Sequence, residues 1–128
     1  MEKIGMMGTG AMGLALLERL KAAGVQATCF DSYPPALARA KALGMVTVGS
    51  AAAVAAAVVV TDIVVGTGQG MIDCVLGPKG VLEGARPETL LLLHSSILPQ
   101  TVKQVAEAAE TRGVQAIDVC MIGVPDTV

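Results

Sequence analysis

Residues 3–20 read KIGMMGTGAMGLALLERL. A short apolar run ends at Gly8, glycines follow at positions 10 and 13, and from Ala11 onward the apolar residues recur at helical spacing. The order is strand, glycine turn, helix. In that setting Gly8 permits a tight turn, Gly10 lets a ligand approach backbone with no Cβ in the way, and Gly13 lets the helix pack close to the strand. The helix then points its free N–H groups and positive dipole end at the loop, where a phosphate is held when such a unit binds a dinucleotide. A GxGxxG also serves ordinary turns, so the rest of the chain must support the reading.

Outward from this stretch, apolar runs rich in β-branched residues alternate with segments of helical periodicity, the pattern of parallel strands buried on both faces. Strands are expected near Lys3–Met7, Ala27–Asp31, Met45–Val48, Ile63–Gly66, Thr89–His94 and Val114–Asp118. Helices are expected near Ala11–Ala23, Pro35–Leu43, Ala51–Ala57, Gln69–Leu76 and Pro99–Arg112, with Ser50 capping the third. In the last helix Val102, Val105, Ala106 and Ala109 share one face, and Lys103, Glu107 and Glu110 lie off it. The fold class is α/β, a doubly wound parallel sheet of the Rossmann type with expected strand order 3-2-1-4-5-6. GPKGVLEGARPET, starting at Gly77, reads as the longest irregular segment.

The chain has 128 residues, 53% of them hydrophobic, which suits a single domain, here residues 1–128. Its net charge is −2 and its Lys and Arg residues are scattered, so no basic surface is offered to nucleic acid or anionic lipid. Ala42–Thr61 lacks charge, but Gly49–Ser50 interrupts it and strand, capped helix and strand explain it better than a membrane span. No signal-peptide order appears at the N-terminus. Cys29, Cys74 and Cys120 have neither CxxC spacing nor a metal-binding histidine partner, and read as reduced core thiols of a cytoplasmic protein with no metal.

The second element of a dinucleotide fingerprint is a carboxylate ending the second strand, where it accepts hydrogen bonds from the adenosine ribose. Asp31, in TCFDSYPP, stands there with Ser32 beside it. A 2′-phosphate would be repelled by Asp31 and meets no arginine at Ser32, so NAD is favoured over NADP. The alternatives are a flavin or mononucleotide at the glycine loop, and a solvated turn role for Asp31.

The stretch IGMMGTGAMGLALLERLKAAG resembles the N-terminal signature of the β-hydroxyacid dehydrogenase family, which includes 3-hydroxyisobutyrate dehydrogenase and tartronate semialdehyde reductase; Met12 within the glycine motif is part of the likeness. The resemblance continues from Val75 to Gly123, through a serine segment and Pro99 to DVCMIG. It implies a loop of Gly8, Thr9, Gly10, Ala11, Met12 and Gly13 around the cofactor, with Thr67 and Ser96 further along it. It also implies substrate contacts at Ser95 and Gly123. N-capping of the helix at Pro99 is the alternative role for the serines, and His94 reads as structural. Ile122 and Val124 depart from the family, replacing its substrate-binding serine and second glycine.

The implied activity is hydride transfer between a nicotinamide and a small hydroxy acid or aldehyde. The family's general acid/base is a lysine that matches none of Lys3, Lys21, Lys41, Lys79 and Lys103, and its helical domain lies beyond this chain. The expectation is a cofactor-binding domain with no catalytic residue of its own, inactive alone and homo-oligomeric through exposed apolar surface. A stand-alone dinucleotide-binding regulatory module and an imine or pyrroline-type reductase are the alternatives.

Overall fold

A computed structural model describes residues 3–127. Its elements run β1 (Lys3–Met7), α1 (Ala11–Ala22), β2 (Gln26–Phe30), α2 (Pro34–Ala42), β3 (Val46–Thr47), α3 (Ala51–Ala57) and β4 (Val60–Ile63). They continue with α4 (Gly68–Leu76), α5 (Val81–Gly84), β5 (Leu90–Leu93), α6 (Pro99–Glu110), β6 (Gln115–Asp118) and a 3-10 turn at Pro125–Thr127. The strands form one six-stranded sheet in the order β3-β2-β1-β4-β5-β6, and every pairing is parallel. This is the expected doubly wound sheet.

The side chains of Met6 and Met7 explain why β1 has no polar face. Successive strand residues point to opposite sides, and both methionines are almost wholly buried. Met6 packs with Leu17, Ala27, Cys29 and Ala40 beneath α1 and α2. Met7 packs with Val54, Ile63, Met71, Leu93 and Val105 beneath α3, α4 and α6. Helices therefore leave β1 to one side and β4 to the other, and the chain's direction of winding reverses between these neighbours. Open α/β sheets bind ligands at such a switch point, beyond the carboxyl ends of the strands.

Three expectations need correction. The fourth strand spans Val60–Ile63, not Ile63–Gly66. Thr61 and Asp62, polar though they are, are both buried inside the sheet, Asp62 with an ionic partner described below. The segment after Gly77 is not irregular throughout, because Val81–Gly84 forms the short helix α5, whose Val81 and Leu82 enter the core. Of the cysteines, Cys29 is a core thiol, Cys74 is half-buried and Cys120 is exposed, because β6 lies at the sheet edge. Among the described residues, no helix is long and apolar enough to cross a membrane.

Candidate functional site

A cleft of about 590 Å³ opens at the β1/β4 switch point. Gly8, Gly10, Asp31, Ser32, Val65 and Gly66 contribute to its walls. The glycine loop lies between β1 and α1, and its three glycines differ in what they do. Gly8 has φ +91°, and a Cβ there would strike the Val64 carbonyl. A Cβ on Gly13 would strike the Gly8 carbonyl, so α1 cannot sit this close to the strand with any larger residue. Gly10 has an ordinary φ of −69°, and a Cβ there would meet nothing within 4 Å. Neither conformation nor packing explains that glycine, and the open space beside it is on the cleft wall.

The loop's donors are divided in the same way. Gly8 N–H donates to the Phe30 carbonyl at 3.1 Å, and Thr9 N–H donates to Asp31 Oδ2 at 2.7 Å. The first bond of α1 runs from Leu14 N–H to the Gly10 carbonyl at 2.8 Å. The N–H groups of Ala11, Met12 and Gly13 thus precede the helical ladder and have no intrahelical acceptor. Gly10 caps the helix without a side-chain bond, and no acidic residue occupies the first turn. This end of α1 retains its positive dipole and its donors for an anion. The residues present fit a dinucleotide pyrophosphate.

Asp31 is half-buried and already works for the fold. Its Oδ2 accepts from Thr9 N–H and its Oδ1 from Tyr33 N–H at 2.8 Å, so it ties the glycine loop to the end of β2 and closes the turn before Pro34. A carboxylate has about four acceptor sites, leaving capacity for ribose hydroxyls. Thr9 is fully buried, and its hydroxyl lies 3.4 Å from the same Asp31 oxygen. Its side chain belongs to the loop's support.

The other sequence-picked residues fall outside this cleft's lining. Thr67 caps α4, its Oγ1 accepting from Gly70 N–H at 2.9 Å. Ser95 is buried, and its Oγ accepts from Val65 N–H at 2.9 Å, joining the ends of β4 and β5. Exposed Ser96 has its Oγ 3.2 Å from Cys120 Sγ. The cap of α6 is Leu98 with no side-chain bond, so neither serine has the capping role. Gly123 is exposed at φ +135° in the segment after β6.

His94 lies among this second group with both ring nitrogens engaged. Nδ1 lies 2.9 Å from the Val119 carbonyl, which can only accept, and Nε2 lies 2.8 Å from Asp62 Oδ1. A doubly donating imidazolium satisfies both contacts. The hydrogen bond that Asp62 accepts from Nε2 raises the His94 pKa above its ordinary value, against the opposing effect of burial. The ring joins β4 to the segment after β6 and leaves no nitrogen for substrate.

Sequence reading gave Ser50 on the far wall of the cleft only its capping role, and missed the rest of that wall: Asp73, Cys74, Pro78, Lys79 and Gly80. Their only local signal was turn chemistry at Gly77–Gly80; what brings them here is the return of the chain over the switch point. Burial, with the Asp31 charge adding to it, pushes the Cys74 thiol up to about 12, so it does not act as a thiolate near neutrality.

Residues 3–126 match the family described as the NAD binding domain of 6-phosphogluconate dehydrogenase. The chain belongs to this family. The NAD-binding domain is 33% identical, over 129 residues, to the 3-hydroxyisobutyrate dehydrogenase of Pseudomonas aeruginosa, covering 96% of this chain and 41% of the relative. It is 31% identical over 124 residues to the 2-(hydroxymethyl)glutarate dehydrogenase of Eubacterium barkeri, covering 94% and 40%. The solved 3-hydroxyisobutyrate dehydrogenase of Mycobacterium tuberculosis, with L-serine, superposes with a TM-score of 0.91 at 30% identity, covering 98% of this chain and 42% of that one. The chain spans about two fifths of the length of the relatives it matches. It is an NAD-binding Rossmann domain resembling those of 3-hydroxyisobutyrate dehydrogenases, within a family of oxidoreductases.

Proposed function

We propose that this NAD-binding domain serves a dehydrogenase that moves hydride between a nicotinamide cofactor and a small hydroxy acid or its carbonyl partner. The supporting observation is Gly10, a glycine that the fold does not itself require, on the cleft wall where helix donors remain unspent. The nicotinamide, when bound, supplies the hydride chemistry. The chain's residues bind and orient. The N–H groups following Gly10, on Ala11, Met12 and Gly13, hold the pyrophosphate. Asp31 and Ser32 accept the adenosine ribose hydroxyls, and the Asp31 charge favours NAD over NADP. Thr67 and Ser96 border the cofactor further along, and Ser95 and Gly123 border the substrate.

Reaction at the substrate hydroxyl needs a proton donor within hydrogen-bond reach. His94 has both nitrogens engaged elsewhere, and no lysine of this chain matches the family's general acid/base. In this reading residues 1–128 are the cofactor domain, which binds dinucleotide in the cytoplasm without turning over substrate alone.

Titration with NADH, followed by nicotinamide fluorescence, tests the proposal. Saturable binding is expected, and Gly10→Val should abolish it by filling the space beside the phosphates while circular dichroism stays unchanged. Undiminished binding by that variant would overturn the assignment of the loop. Asp31→Ala should narrow the preference for NAD over NADP.

A further inference from the structure

Lys79, on the far wall of the cleft, has φ +56° and is the non-glycine residue with positive φ among those described. It is the third residue of the turn Gly77–Gly80, whose Gly80 N–H donates to the Gly77 carbonyl at 2.9 Å. With Pro78 at the second position, this is the arrangement in which the third position favours glycine or asparagine. A lysine there carries a backbone cost that glycine would avoid. The turn is also pinned. The Lys79 carbonyl accepts from Ala52 N–H at 2.9 Å, and a Cβ on Gly80 would press against the carbonyls of Gly77, Cys74 and Val75. The lysine stem therefore leaves from a fixed point beside the start of α3, in the wall of the cleft that Asp31 also lines.

Charge sharpens the case. Among the described residues lining the cleft, the ionisable carboxylates are Asp31 and Asp73, and Lys79 is the one basic residue. Asp31 is occupied by backbone donors, and Asp73 Oδ1 accepts from Gln69 Nε2 at 2.8 Å. Among the described residues no carboxylate forms an ion pair with Lys79. A strained lysine with a free ammonium has its natural counter-charge in a ligand.

We propose that Lys79 is a cofactor-binding residue whose ammonium takes a phosphate of the dinucleotide at the adenosine side of the cleft. This rests on the cofactor reading above. Two phosphates meet the description: the 2′-phosphate that only NADP carries, and the adenosine-side phosphate of the pyrophosphate common to both cofactors.

The test titrates NADH and NADPH into the unaltered chain, Lys79→Gly and Lys79→Arg, and measures thermal unfolding of each without ligand. A charge-assisted contact to phosphate predicts an affinity loss of about ten-fold in Lys79→Gly, with Tm unchanged or raised because glycine suits the turn. Lys79→Arg should retain affinity. Loss confined to NADPH assigns the contact to the 2′-phosphate, and equal loss for both assigns it to the shared phosphate; either supports the proposal. Unchanged affinity for both in Lys79→Gly overturns it, as does an affinity loss accompanied by a fall in Tm. Failure of the unaltered chain to bind either dinucleotide removes the cofactor reading and the proposal with it.

Discussion

Thr61 is fully buried in β4, and its hydroxyl has no hydrogen-bond partner among the described residues. It lies against the space above Gly5, beside Val54 and Val58. An unmade hydrogen bond there costs more than an apolar group of the same shape. Thr61→Val should therefore raise stability by about 1 kcal/mol, read as a higher urea midpoint at constant slope; a lower midpoint would refute this. The same residue lies in the part of β4 that the expected strand, Ile63–Gly66, left out, where Thr61 and Asp62 interrupt an otherwise apolar run. The glycines were read better because each has a separate job. Gly13→Ala should lower stability by about 3 kcal/mol through backbone overlap, whereas Gly10→Ala should change it by less than about 1 kcal/mol. Denaturation of the two variants side by side checks this, and similar losses would mean that Gly10 serves the fold.

At the scale of elements, His94, just past the carboxyl end of β5, ties β4 to the segment after β6 at the same end of the parallel sheet as Asp31. Leu93 and His94 carbonyls also accept from Val119 and Met121 N–H at 2.8 and 3.3 Å, so the ring reinforces the hold on the segment after β6. Because the folded His94 pKa is raised, the contribution is complete below the ordinary histidine value of about 6.5. It is lost as pH rises through His94's own higher value. Stability should fall with pH across that window, by up to about 1.4 kcal/mol per pH unit. His94→Gln should flatten the fall. Urea denaturation from pH 6 to 7.5 measures it and stays below the ionisation of unfolded thiols at about 8.5, above which Cys29 and Cys74, pushed up to about 12 by burial in the fold, would add a fall of their own. Parallel curves for the two proteins would dismiss the clamp. Periodicity had located α1, α3 and α6 to within two residues, and Ser50 does cap α3, accepting from Ala53 N–H at 3.1 Å. It could not reveal the Asp62–His94 contact, which joins residues far apart in the chain. It could not separate α5 from the glycine-rich turns around it either, because four residues are too few for a helical period to show.

Across the whole molecule, the parallel sheet and its strand order follow from the alternation of apolar runs with amphipathic segments, and so was the cleft's location legible. Its far wall was not, because only the folded path from α4 to α5 sets Lys79 across from Asp31. The sheet's two edges also differ. β3 at one edge has two residues, whereas β6 at the other exposes Ile117 at 48%, and the segment after it exposes Val119 at 40%, Ile122 at 98% and Val124 at 57%. A free strand edge beside clustered apolar side chains favours association. We therefore expect the chain by itself to self-associate through the β6 side. Sedimentation velocity over a range of concentrations should show species larger than the monomer, strengthened by sulfate because apolar burial drives them. Ile122→Lys combined with Ile117→Lys should restore the monomer without changing NADH binding, since neither residue lines the cleft. A monomeric unaltered chain at all concentrations would defeat this expectation, and association untouched by the two lysines would move the interface elsewhere.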